Sequence, residues 1–224
     1  MARFNGWTPQ TAYRAVVGPG VAVANLDEAL LNASTGDAVL TDAEIAAIIN
    51  SGDVLGATDD GLSVEYEPEF QDWEFAGVPG NIRGGRRLIS ATITAEGSFT
   101  EITPENMSKF IPNMDAEDWE LGTTPTKVGD ILTPRPYIVD TDYMDNLAII
   151  AERQGTNIPL VFLIYNVMNA EGFSLSLEGD ENRSSTDVSF TGSYGAQDFD
   201  VSTGRFAMPF KMYLPTEFDA TPGP

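Results

Sequence analysis

Gly61-Leu62-Ser63-Val64-Glu65-Tyr66-Glu67-Pro68-Glu69 and, beyond a Gly-rich connector, Ile89-Ser90-Ala91-Thr92-Ile93-Thr94-Ala95-Glu96-Gly97-Ser98-Phe99-Thr100 are the stretches that decide the fold. A strand points successive side chains to opposite faces, so a period of two marks a strand with one dry and one wet side. In the first stretch Leu62, Val64 and Tyr66 oppose Ser63, Glu65, Glu67 and Glu69, and Pro68 marks a bulge or an edge. In the second, Ile89, Ala91, Ile93, Ala95 and Phe99 oppose Ser90, Thr92, Thr94, Glu96, Ser98 and Thr100. Together they read as a long hairpin with one apolar face and one acidic, hydroxyl-rich face. The connector carries Gly77, Pro79, Gly80, Asn81, Gly84 and Gly85, with the basic cluster Arg83, Arg86 and Arg87.

Upstream, residues 1–24 mix Gly, Pro and single aromatics (Phe4, Trp7, Tyr13) and read as an extended arm. Two short amphipathic helices follow. Asn25 or Asp27 can cap the first, which carries Leu26, Ala29, Leu30 and Ala33; Thr41 with Glu44 has the spacing of a capping box and opens the second, with Ile45, Ile48 and Ile49 on one face. Asp59-Asp60-Gly61 is a turn signal. Downstream, Thr103-Pro104-Glu105-Asn106 starts a helix with Thr103 as cap and Pro104 in its first position, Met107, Phe110 and Ile111 form its apolar side, and Pro112 stops it. This helix is expected to cover the dry face of the hairpin.

Residues 113–135 read as a connector with one strand, Lys127 to Leu132. Residues 141–153 fit a helix face or a strand, and the turn-like Gln154-Gly155-Thr156-Asn157 before Ile158 to Val167 tips the reading toward a hairpin. Phe173, Leu175 and Leu177 then alternate with Ser174, Ser176 and Glu178, and Val188, Phe190 and Tyr194 with Asp187, Ser189, Thr191 and Ser193. Phe206, Met208, Phe210, Met212 and Leu214 share one phase and read as a last strand. About seven strands with a few short helices predict a mainly β fold, a sandwich or barrel. The domain reading is an arm with two helices over 1–60, a β domain over 61–215 and a loose tail over 216–224.

Composition limits the chemistry. The 224 residues hold 12 Lys or Arg against 34 Asp or Glu, a formal charge of −22, and no His or Cys. Within one chain this excludes a Ser-His-Asp triad, a Cys nucleophile, a His or Cys zinc site and a disulfide. Few cations are available to neutralise phosphates, so a nucleic-acid-binding surface is disfavoured. The start has no basic region before an apolar run, and the longest nearly unbroken apolar run, Leu160 to Tyr165, is far short of a membrane span. The expectation is a protein soluble when made, with no membrane insertion.

No catalytic, metal or cofactor residues are assigned. Glu65, Glu67 and Glu69 read as a solvated row rather than a catalytic acid pair. Asp140-Thr141-Asp142 with Asp145, and Gly56 to Gly61, lack the full calcium ligand ladder and read as turns. The Gly-rich stretches lack the Lys-Ser or Lys-Thr of a nucleotide loop. Arg83, Arg86 and Arg87 read as partners for carboxylates of a neighbouring chain. Periodicity alone leaves the wet hairpin face an ordinary solvated one.

The order of features resembles the major tail tube proteins of long-tailed bacteriophages over residues 61–214. The likeness rests on the first strand from Gly61 to Glu69, the Gly-rich loop, the strand Ala91 to Phe99 and the Ile102-Thr103-Pro104-Glu105-Asn106-Met107 segment. It continues in the hairpin around Gly155 and in Asn169 to Tyr194, where Glu178-Gly179-Asp180 leads into Val188-Ser189-Phe190. The resemblance implies a β-sandwich or barrel flanked by a helix, closing into hexameric rings that stack into a tube through which genomic DNA passes without specific binding. Glu65, Glu67, Glu69, Thr92, Thr94, Glu96 and Ser98 would then line the channel, joined by Ser174, Ser176, Ser189 and Thr191. Gly77, Asn81, Arg83, Arg86 and Arg87 would form the loop between subunits or rings. Implied partners are the chain itself and the tape-measure and tail-terminator proteins; the implied location is the virion tail, after synthesis in the host cytoplasm. The alternatives are another virion β-protein, of baseplate or decoration type, and a bacterial surface β-sandwich that binds carbohydrate or calcium.

Overall fold

The computed structural model describes residues 20–32, 42–73, 83–151, 159–177, 184–195, 199–200 and 205–214. Their elements in chain order are β1 (Val21–Ala24), α1 (Glu28–Asn32), α2 (Asp42–Ile49), β2 (Asp53–Val54), β3 (Thr58–Asp72), β4 (Arg86–Phe99) and α3 (Pro104–Phe110). There follow β5 (Met114–Leu121), β6 (Thr126–Pro134), a 3-10 turn (Asp140–Asp142), β7 (Met144–Ala151), β8 (Leu160–Ser176), β9 (Ser185–Gly192), β10 (Phe199–Asp200), β11 (Arg205–Phe206) and β12 (Phe210–Tyr213). Strands account for 59% of the described residues and helices for 14%, so the fold is mainly β, as the periodicity predicts.

The main sheet has the order β2-β1-β7-β8-β9-β4-β3, all pairs antiparallel, with β12 beside the first half of β8. β2 and β3 stand at its opposite ends, yet only Leu55, Gly56 and Ala57 separate them in the chain. Four residue steps span at most about 14 Å, whereas six strand spacings in a flat sheet measure about 29 Å. The sheet is therefore rolled, and Thr100 N donates to Ala57 O (2.9 Å) where its ends meet. Gly56 makes the bend with φ +96°, and a Cβ there would lie 2.7 Å from Glu101 Cβ.

Rolling gives the sheet an inside. Ile93, Ala95 and Phe99 of β4, Val188 and Phe190 of β9, Ile164 and Val167 of β8, Leu147 and Ile149 of β7 and Ala22 and Ala24 of β1 pack there. The Thr103-capped α3 adds Phe110, whose ring centroid lies 5.1 Å from that of Phe99 and 6.1 Å from that of Phe190. Met107 and Ile111 pack on the same cluster, so α3 covers the dry face of the β3–β4 hairpin. On the outside, Val23, Ala148, Ile150, Val161 and Leu163 are covered by Leu26, Leu30 and Leu31 around α1 and by Ile48 and Ile49 of α2. The helices thus shield the β1-β7-β8 half of the outer surface.

Three buried asparagines fix the chain reversals. Asn146 accepts from Leu26 N (2.9 Å) and donates to Leu26 O (3.0 Å); Asn106 donates to Leu55 O (3.1 Å) and Glu101 O (3.3 Å); Asn169 donates to Phe110 O (2.6 Å). Each meets backbone polar groups that burial would otherwise leave unpaired. Glu28 of α1 pins the opposite side, accepting from Lys211 Nζ (2.6 Å), Tyr213 Oη (2.6 Å) and Tyr165 Oη (2.8 Å). Burial alone raises its pKa, but hydrogen bonds from Lys211, Tyr213 and Tyr165 outweigh this and hold the carboxyl below its ordinary 4.5. Burial, with the neighbouring Glu28 carboxylate, pushes the Tyr165 phenol up to about 12.

Several expectations need correction. Residues 113–135 form two strands, β5 and β6, not one: side chains on both faces are largely exposed, so no apolar alternation is written into them. Val21–Ala24, read as the end of an arm, is an interior strand between β2 and β7, and β3 begins at Thr58, so residues 20–60 contribute to the same sheet as the rest. The final strand is broken into β11 and β12, with Pro209 between them, and Met212 and Leu214 are exposed. Ile89 falls at a register shift and is exposed rather than inward. The stretch 141–153 contains the strand β7, paired with β8. The expected arm up to residue 19, the cap Thr41 and the tail 216–224 lie outside the described residues.

Two outcomes follow from this packing. Gly56→Ala lowers the free energy of unfolding by about 2 kcal/mol, measured by urea titration, because the bend joining the sheet ends needs a positive φ and has no space for Cβ. Glu28→Gln costs about 1 kcal/mol at neutral pH. A carboxyl whose pKa falls on folding stabilises the fold above its unfolded value, and that contribution is lost as pH drops through the folded value. The difference between wild type and variant therefore shrinks as urea titrations move below the ordinary 4.5.

Candidate assembly surfaces

The outer half of the sheet that the helices leave uncovered is polar. Direct cross-strand partners share a face, and the register gives the rows Glu67–Thr92, Glu65–Thr94–Thr191 and Ser63–Glu96–Ser189, each residue opposite the next. Glu69 faces Ser90, whose hydroxyl donates to Glu69 Oε2 at 2.8 Å, and a further row runs Ser98–Asp187–Ser174. All seven residues expected at the channel wall, Glu65, Glu67, Glu69, Thr92, Thr94, Glu96 and Ser98, therefore lie on one face with Ser174, Ser176 and Thr191; Ser189 shares that face but is buried rather than exposed.

In each of these rows a carboxylate stands opposite a hydroxyl and never directly opposite another carboxylate. Like charges directly across a ladder destabilise it, so this arrangement lets one face carry five acids on β3, β4 and β9. Among the described residues of this face between the Glu69 and Ser174 rows there is no Lys or Arg. Glu171 borders the same surface beside Glu96 and Ser174. Periodicity misses Glu171 because it sits in the irregular step of β8 between Asn169 and Phe173.

At the far end of the hairpin the basic cluster is divided. Arg86 and Arg87 belong to strand β4 rather than to a loop, since β3 runs on to Asp72. Arg86 pairs with Asp72 across its own hairpin (Nε to Oδ1 2.6 Å) and lies over the Phe70 ring, 5.5 Å from its centroid, so its carboxylate partner is internal. Arg83 and Arg87 are exposed and have no ion-pair partner among the described residues. Gly77 and Asn81 lie outside the described residues. Arg86 and Arg87 line a cleft of about 980 Å³ whose walls include Phe70, Trp73, Leu88, Tyr194 and Phe206.

The β5–β6 hairpin is a separate two-stranded sheet. One of its faces carries Trp119, Leu121 and Ile131 with Glu117; the other carries Asp118, Glu120 and Asp130 around Lys127, whose Nζ lies 2.7 Å from both Asp118 and Asp130. Trp119 lies against Gly129, where a Cβ would come within 3.2 Å of the indole. The root is held by Arg135, 10% exposed, which bridges Asp115 (2.9 Å) and the 7%-exposed Asp142 and stacks over Tyr137. Asn113 and Arg135 close the two strands through backbone and side-chain hydrogen bonds. The Asp142 carboxylate, which the sequence offers as a loop ligand, also accepts from Val139 N (2.8 Å). No cluster of three or more acidic groups placed to hold a metal occurs among the described residues.

No family model matches the chain, and no curated protein matches it significantly. No described helix is long and apolar enough to cross a membrane.

Removing Arg135 leaves Asp142 buried without its cation. Arg135→Met is expected to destabilise the protein by about 3 kcal/mol, and adding Asp142→Asn recovers part of that loss; equilibrium urea unfolding of the two variants measures both.

Proposed function

We propose that the chain is a structural subunit that assembles with copies of itself into the tail tube of a long-tailed bacteriophage, as hexameric rings stacked around a channel. The observation that carries the reading is the uncovered face of β3, β4 and β9, on which, between the Glu69 and Ser174 rows, acids and hydroxyls alternate without a described cation. A wall of this kind repels the DNA backbone and offers no phosphate anchor, so DNA moves past it without being held. Two further features support a repeating assembly. β3 is a 15-residue edge strand with no second neighbour among the described residues, and long unpaired edges are surfaces that pairing between copies removes. Large apolar side chains, Trp73, Trp119, Leu121 and Ile131 among them, are about half exposed at the two hairpins.

In this reading Glu65, Glu67, Glu69, Glu96 and Asp187 face the channel, and tape-measure and terminator proteins meet the tube inside and at its end. No catalytic residue, metal or cofactor takes part.

Negative-stain electron microscopy of the purified chain, with its mass in solution at low and high concentration, tests the assembly. Hollow tubes or six-membered rings are expected. A monomer at every concentration that calcium or a glycan stabilises against heat overturns the reading in favour of a binding module. The channel role has its own test: Glu65→Lys, Glu67→Lys and Glu96→Lys together leave tubes intact but slow genome delivery, and unchanged delivery would count against an acidic lumen.

A further inference from the structure

The β5–β6 hairpin is an unusual object for a chain to maintain by itself. Two-stranded sheets are marginal in water, yet this one extends over 8- and 9-residue strands with most side chains exposed on both faces. Its apolar face presents Trp119 at 50%, Leu121 at 54% and Ile131 at 46% exposure. Its charge is −4, from Asp115, Glu117, Asp118, Glu120 and Asp130 against Lys127. Asp115 is taken by Arg135, and Asp118 and Asp130 by Lys127, which leaves Glu117 and Glu120 without an ion pair among the described residues.

The cleft at the end of the β3–β4 hairpin has the opposite character. Its walls are mostly aromatic and aliphatic, with Phe70 at 48% and Phe206 at 49% exposure, and two arginines line it: Arg86, paired with Asp72, and Arg87, which has no ion pair among the described residues. The two surfaces are complementary: exposed apolar side chains beside Glu117 on one, a mostly apolar cleft beside Arg87 on the other, neither charge having an ion pair among the described residues.

We infer that the β5–β6 hairpin of one copy docks into the β3–β4 cleft of the next, with Trp119 and Leu121 in the cleft and Glu117, on the same face of the hairpin, against Arg87 of the cleft wall. This inference rests on the assembly reading above and names the surfaces that join the copies. The two surfaces are different patches of one chain, so the contact is heterologous; such contacts close into rings or continue as filaments. An aromatic anchor in an apolar pocket supplies most of the binding energy, and the rim charges set orientation and rate.

The absence of cysteine gives a direct test. Thr123→Cys, in the turn of the hairpin, and Ser90→Cys, beside the cleft, are prepared as separate full-length proteins and mixed with a short bismaleimide. Covalent dimers should form in the mixture well above the level in either protein alone. Trp119→Ala should raise the concentration needed for half-assembly about tenfold. Glu117→Lys should do the same, and mixing with Arg87→Glu protein should restore association; this charge pair keeps the test open if Trp119→Ala fails to fold. If tubes form but the mixed cross-link is absent and Trp119→Ala assembles normally, the docking is wrong and the assembly reading stands. If neither tubes nor mixed dimers form at any concentration, both fall. A Ser90→Cys thiol shielded from maleimide in the monomer would place the chain's own residues over the cleft and overturn the docking.

Discussion

Three residues, Leu55, Gly56 and Ala57, hold the two ends of a sheet together that would lie about 29 Å apart if it were flat. Because the chain cannot span that distance, the sheet rolls and acquires an inside and an outside. Everything else is arranged around that closure. Leu55 is fully buried, with its amide on Ala22 O (2.9 Å) and its carbonyl on Asn106, so the link, β1 and the start of α3 form one connected joint. The Thr103-Pro104-Glu105-Asn106 stretch thus does more than start a helix. Its last residue ties the helix to the link that closes the sheet.

Closure also decides which surfaces remain wet. The inside is filled by Phe99, Phe110 and Phe190 with the aliphatic residues of β1, β7, β8 and β9. Outside, α1 and α2 cover β1, β7 and β8, whose strands are apolar on both faces for that reason. The helices do not reach β3, β4 and β9, and there the outward positions are Glu, Thr and Ser. The same polar alternation that marks these strands in the sequence is therefore the imprint of a half-covered sheet. Its acids tolerate one another because each is matched across the ladder to a hydroxyl.

An acidic, uncovered wall and two exposed hairpin surfaces of opposite character suit a subunit whose structure is completed by other copies. The fixed root at Arg135 matters in this picture. A hairpin anchored through a buried guanidinium projects in a defined direction, so the ordering cost that a floppy loop would incur on docking is already met within the monomer. Arg86, by contrast, uses its charge on Asp72 and stiffens the long hairpin, while Arg83 and Arg87 have no ion pair among the described residues.

How much of this was written in the sequence depends on whether a segment meets the core on one face. Where it does, as at Leu62–Val64–Tyr66, Ile93–Ala95 and the Thr103-capped helix, period and capping chemistry determined the element, its faces and the shared surface of Glu65, Glu67, Glu69, Thr92, Thr94, Glu96 and Ser98. Where both faces are dry or both wet, the period carries little information: β1 reads as the end of an arm, β7 fits helix or strand until the turn-like Gln154–Asn157 tips it toward the hairpin it forms, and β5–β6 reads as a connector with one strand. Only the tertiary structure decided that residues far apart in sequence make one rolled sheet, that Arg86 is used internally while Arg87 is not, and that Arg135, Asp115 and Asp142 meet. Those facts depend on long-range pairing and on which charges burial brings together, and local propensity, which acts over a few residues, contains neither.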